Sequence, residues 1–96
     1  MGKVKPVLFE DMEHCYVCGS NHVHWHHIFY GTANRKISDR LGYVAPLCGM
    51  HHNMSNDGVH FNKAFDLHLK RMAQEHFERN NGTRDDFIKL IGRNYL

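Results

Sequence analysis

Apolar positions in the last third of the chain recur at helical spacing. Phe65, Leu69, Met72, Ala73 and His76 fall on one face. Asn62 is placed to cap the start of that helix, and Asn80-Asn81-Gly82 to end it. Thr83 then caps a second helix, with Asp85 and Asp86 in the first turn, where the helix dipole favours acids. Phe87, Leu90 and Ile91 give it an apolar face, and Gly92 lies near its end. Ahead of these helices the period changes. Residues 22–30, His-Val-His-Trp-His-His-Ile-Phe-Tyr, are β-branched and aromatic enough to predict a strand that Gly31 breaks. GTANRKISDRLG predicts a loop or one helical turn. Tyr43-Val44-Ala45 predicts a short strand stopped by Pro46, and 48–54 a short helix followed by a turn at Ser55-Asn56-Asp57-Gly58. Trp25 reads as core. Residues 1–14 read as an arm in which Val7, Leu8 and Phe9 add to that core.

The 96 residues give room for one domain, with an arm (1–14), a middle part (15–60) and a helical part (61–96). The hydrophobic fraction of 42% builds only a small core, so a chain of this size calls for a staple. A charged fraction of 23% excludes an acidic tail or a low-complexity linker. No apolar run has the roughly 20 residues of a membrane span, and the start shows no signal-peptide core, so the expected location is cytoplasmic. The net charge of +2 excludes a polybasic nucleic-acid binder of the strongly charged kind.

Composition changes the picture in one respect: there are 10 histidines and 3 cysteines. An odd cysteine count argues against a disulfide framework. Cys15-x-x-Cys18-Gly and Cys48-x-x-His51 instead form two half-sites of the zinc-ribbon kind, since two-residue spacing lets both side chains of a half-site reach one ion. A structural Zn²⁺ with three thiolates and one imidazole is the expected staple. His14 is an alternative fourth ligand, sterically awkward beside Cys15. The 29 residues between Cys18 and Cys48 are enough for a hairpin that joins the half-sites.

Four more histidines, His26, His27, His52 and His60, sit close to that scaffold. Two or three neutral imidazoles hold a divalent ion with open positions, and a spare imidazole takes a proton from water near neutral pH. Together these are the requirements of metal-assisted phosphodiester hydrolysis. In a regular strand His26 and His27 point to opposite faces, so a shared site needs the strand to end or twist there. His22 and His24 read as surface residues, His68 and His76 as packing or solvated groups, and Lys70 and Arg71 as a solvated helix face.

The order CxxCG, HHI, a Gly-containing loop, PLC-x-x-HH and a final His resembles the HNH (ββα-metal) nucleases, most closely the small phage-type members with a zinc staple. The resemblance covers roughly residues 15–60. It implies a small zinc-stapled ββα-metal, treble-clef-like core in an α+β fold, followed here by two C-terminal helices. It also implies a DNA endonuclease leaving a 5′-phosphate and a 3′-hydroxyl. On it, His27 matches the general base, His26 the adjacent metal ligand, His52 the His after the second half-site and His60 the last His of the motif. The family's middle Asn has no counterpart in Leu41-Gly42-Tyr43-Val44; Asn34 is the nearest candidate and Asn53 a weaker one. The second half-site ends in His51 rather than Cys, and the stretch from His52 to His60 is longer than in compact members. The split of His51, His52 and His60 between the two sites therefore stays open. Arg35 and Lys36 suit phosphate contacts in the loop, with a solvated loop as the alternative. An all-imidazole site suits Zn²⁺, Ni²⁺ or Mn²⁺ better than Mg²⁺. The rival expectation is a non-catalytic treble-clef zinc module that binds nucleic acid or a protein partner. A metal buffer is a third, at odds with histidines ordered around two half-sites.

Overall fold

The computed structural model describes residues 4–49 and 62–96. His51, His52, Asn53 and His60 lie outside them, as do the turn expected at 55–58 and most of the helix expected over 48–54. The described elements run β1 (Val23–His27), α1 (Thr32–Leu41), β2 (Val44–Cys48), α2 (Lys63–Asn80) and α3 (Arg84–Ile91). The fold is thus a small α+β arrangement, a two-stranded antiparallel sheet with three helices among the described residues.

Val23 stands opposite Cys48 and His27 opposite Val44. Where the sequence stops β2 at Pro46, the ladder runs through it. The Pro46 carbonyl accepts a hydrogen bond from the Tyr16 N–H at 2.8 Å. The nitrogen and carbonyl of a strand residue face the same side in an antiparallel pair. The N–H that proline lacks would therefore point away from β1, and its loss costs the ladder nothing.

β1 ends at His27, three residues earlier than the composition of 22–30 predicts. Ile28 still donates to the Tyr43 carbonyl at 3.0 Å. Phe29 instead turns to α1. Its N–H donates to Ser38 Oγ at 3.0 Å, and the same hydroxyl donates back to the Phe29 carbonyl at 2.8 Å. One fully buried hydroxyl meets both backbone groups of Phe29, so the strand has no need to continue.

The segment expected as a loop or a single turn is a helix of 10 residues. It starts at Gly31 without a side-chain cap and stops at Gly42, whose φ of 79° is in the left-handed region. Gly42 also has no space for a side chain: a Cβ there would run into the Lys5 carbonyl. The N-terminal arm crosses at this point, with the Val7 N–H donating to the Gly42 carbonyl at 3.2 Å. Leu8 and Phe9 pack against the core as expected, but Val7 remains exposed.

Trp25 also departs from expectation, being 44% exposed. The strand's alternation places it on the face opposite His24 and His26, and its indole N–H donates to the Met12 carbonyl at 3.3 Å. The core lies elsewhere. Ile28, Phe29, Tyr43, Ala45 and Leu47 meet Leu69, Ala73 and Phe77 of α2 and Phe87 of α3. Phe87 stands edge-on to both Phe29 and Phe77, with ring centroids 5.5 Å apart in each pair.

Both C-terminal helices begin as their sequences predict. Asn62 accepts from the Phe65 N–H, and Thr83 forms a reciprocal capping box with Asp86. A fully buried Gln74 joins α2 to the C-terminal tail. Its amide nitrogen donates to Asn94 and Glu78, and its carbonyl accepts from the Tyr95 N–H, each at 2.8 Å.

Candidate metal centre and histidine pair

The tetrapeptide Cys15-Tyr16-Val17-Cys18 forms the expected knuckle. The Gly19 N–H donates to the Cys15 carbonyl at 2.9 Å, and the φ of 77° at Gly19 turns the chain back. The Cys15 N–H closes the loop onto the Ser20 carbonyl. The Tyr16–Pro46 bond then fastens the knuckle to the end of β2, which brings Cys48 alongside. The sulfurs of Cys15, Cys18 and Cys48 lie within 4.8 Å of one another, and Cys18 and Cys48 are 3.6 Å apart. Sulfurs about 2.3 Å from a tetrahedral Zn²⁺ are separated by about 3.8 Å, so the spacing fits an ion of that kind. These three cysteines could hold a metal ion.

Electrostatics support the same grouping. Burial opposes ionisation of Cys15, but the backbone N–H groups of Cys48, Cys18 and Val17 outweigh it and bring the thiol down to about 6. Cys18 moves the other way. The Ser20 N–H favours its thiolate, yet the neighbouring Cys48 and Cys15 sulfurs and burial push it up overall. Three thiols crowded this closely repel as thiolates, and a bound cation relieves that repulsion. The fourth ligand expected, His51, lies outside the described residues. His14, the alternative, is exposed and bonds Asp11 Oδ2 through Nδ1 at 2.8 Å; it is not one of the grouped metal-ligand residues.

The histidine pair lies toward the other end of the same hairpin. Four residues of strand separate Val23, opposite Cys48, from His27, a span of roughly 13 Å. Alternation divides the pair, as the sequence predicts. His26 faces inward, only 2% exposed, with its ring 5.9 Å from that of Tyr30. His27 faces α1, where Nε2 lies 2.7 Å from Asp39 Oδ1.

Asp39 is the residue that sequence reasoning missed. Its segment reads as a loop, and a loop has no face on which to place a carboxylate. In the observed helix, Asp39 lies one turn after Arg35, and both line a depression with Gly31 and Lys36. Arg35 and Lys36 are exposed there, beside the His27–Asp39 pair. Asn34 sits half-buried in the first turn of α1, and among the described residues no side-chain hydrogen bond joins it to the pair. His22 and His24 are exposed on the hairpin. His68 meets the Tyr16 hydroxyl and His76 the Tyr43 hydroxyl, each at 3.1 Å, which agrees with packing roles.

No protein-family model matches the chain, and no curated protein and no solved structure matches it either. No helix among the described residues is long and apolar enough to cross a membrane.

Proposed function

We propose that the protein is a metal-dependent endonuclease of the HNH (ββα-metal) kind that hydrolyses DNA phosphodiester bonds. In this reading Cys15, Cys18, Cys48 and His51 hold a structural Zn²⁺ in a treble-clef-like core. The observation that carries the reading is the His27–Asp39 pair beside the basic depression of α1. A purely structural zinc domain has no use for a carboxylate-oriented imidazole next to two phosphate-binding side chains.

The geometry supports these roles. The Nε2–H of His27 donates to the Asp39 carboxylate, which fixes the tautomer and leaves Nδ1 to accept a proton from the attacking water. Asp39 is a positioning residue that holds the ring and stabilises its charge once the proton has moved. Arg35 and Lys36 hold the scissile phosphate's neighbours in register. His26, with His52 and His60, would hold a divalent ion, which when bound supplies positive charge toward the phosphate and the leaving oxygen. Asn34, in the first turn of α1, is the candidate for the part of the motif's middle Asn.

The opposite orientations of His26 and His27 favour the second reading, a non-catalytic zinc module that binds nucleic acid or a protein partner. One experiment separates the two. Zinc-loaded protein is incubated with supercoiled plasmid and Mn²⁺, Ni²⁺, Mg²⁺ or extra Zn²⁺ in turn, beside His27→Ala. Nicking by the wild type that His27→Ala lacks is the nuclease result. An intact plasmid under every ion leaves the module.

A further inference from the structure

A basic depression lies at α2 and the C-terminal tail, away from α1. Four cations, Lys63, Lys70, Arg71 and Arg93, line it with a single acid, Asp66. That surplus of three exceeds the +2 of the whole chain, so the rest of the molecule is on balance slightly acidic. A depression lined mainly by one sign of charge focuses its field and attracts oppositely charged partners such as a polyanion.

The floor of the depression is built. Lys70 is largely buried, 2.8 Å from Asp66 Oδ2, and its ammonium lies 4.5 Å from the centre of the Tyr30 ring and 5.5 Å from that of Tyr95. The Tyr30 hydroxyl donates to the other Asp66 oxygen at 3.3 Å. Asp66 is therefore neutralised from within. Lys63, Arg71 and Arg93 stand exposed around this floor, and among the described residues no carboxylate pairs with them. The Arg71 Nε–H donates to the Tyr95 carbonyl at 3.0 Å, which holds the guanidinium at the rim. Tyr30 connects the depression to the histidine pair, since its ring is also the neighbour of His26.

We infer that the depression between α2 and the C-terminal tail is a second phosphate-binding surface for DNA, on the His26 side of β1. The inference rests on the reading of the histidine pair as a phosphodiesterase centre. The pair then has a basic depression on each flank: Arg35 and Lys36 beside His27, and Lys63, Arg71 and Arg93 beyond Tyr30. The DNA backbone is held on both sides of the cut. The contacts are to phosphates, so they position the substrate without selecting its sequence.

The test is fluorescence anisotropy of a labelled DNA duplex with zinc-loaded protein and no other divalent ion, over a range of salt. Each phosphate contact contributes about 0.9 to the slope of log K against log salt, and about tenfold in affinity near 0.1 M. Lys63→Ala/Arg71→Ala/Arg93→Ala should flatten the slope by about 2–3 and weaken binding about 10²–10³-fold near 0.1 M salt. Lys63→Glu alone tests the same surface without disturbing the tail. It places an acid in the first turn of α2, where the dipole favours it, and should weaken binding more than Lys63→Ala. Unchanged affinity and slope in both variants would overturn the inference, and so would a wild type with no affinity for the duplex. Plasmid nicking, measured separately, tells the two readings apart. A wild type that nicks, with variants that bind normally, keeps the nuclease and removes the second surface. A wild type that never nicks, with variants that lose binding, keeps the surface and removes the nuclease.

Discussion

Asp39→Ala isolates what the carboxylate contributes to His27. The bond is short, 2.7 Å, and charge-assisted once the imidazole is protonated. Hydrogen bonds to charged groups are worth about 1.5–3 kcal/mol. Asp39 is 45% exposed and His27 24%, so water replaces part of the lost interaction and the low end applies. About 1.5 kcal/mol in the transition state is a little over tenfold in kcat. KM should stay put, because Asp39 touches the base and not the phosphate. His27→Ala should cost about 10²–10⁴-fold. The decisive measurement is the double variant in a plasmid-nicking time course. If Asp39 acts only through His27, adding Asp39→Ala to His27→Ala changes nothing further. A second tenfold loss on the His27→Ala background would refute the positioning role. Thermal unfolding supplies the control: a half-exposed pair contributes under about 1 kcal/mol, so the variant should melt close to the wild type.

Cys48→Ser should lose the structural metal and cooperative unfolding together, because metal binding supplies folding free energy in so small a core; a folded, metal-free variant by calorimetry and metal analysis would remove the staple. Gly42→Ala forces a side chain into the left-handed region against the Lys5 carbonyl and should cost about 1–3 kcal/mol in denaturant titration, whereas Gly19→Ala, strained but open, should cost less. Acid should loosen the start of α3. The Thr83 N–H and hydroxyl lower the Asp86 carboxyl below its usual 3.8, so its contribution is complete above that value and fades as pH falls below it. Hydrogen exchange of α3 amides should rise on that acid limb in the wild type and show no such step in Asp86→Asn.

Much of this architecture was legible because it is local. Asn62, Thr83 and Asp86 declare the helix starts, and the Cys-x-x-Cys turn needs only its own four residues and a glycine. The features that were not legible depend on distant partners. α1 has a thin apolar stripe and no side-chain cap, and its buried polar residue, Ser38, makes sense only once Phe29 arrives to use the hydroxyl. Pro46 looks like a strand stop until Tyr16 occupies its outer edge. Trp25 looks like core by its size, yet strand alternation sends it outward, toward Met12. Asp39 became visible only when its segment was a helix with a face to turn toward His27.

The ladder between β1 and β2 has an evolutionary consequence. The cysteine group and the histidine pair are spaced along one pair of strands whose side chains alternate. Inserting a single residue within β1 ahead of His26 would move every side chain after it to the other face, expelling His26 and burying His27. Length changes within the strands can therefore survive only in twos. At the end of the sheet nearest α1 the count is fixed as well, by the Ser38 clasp on Phe29 and by Asp39 facing His27. Natural variants of this protein should keep a fixed count within β1 and from Ser38 to Cys48.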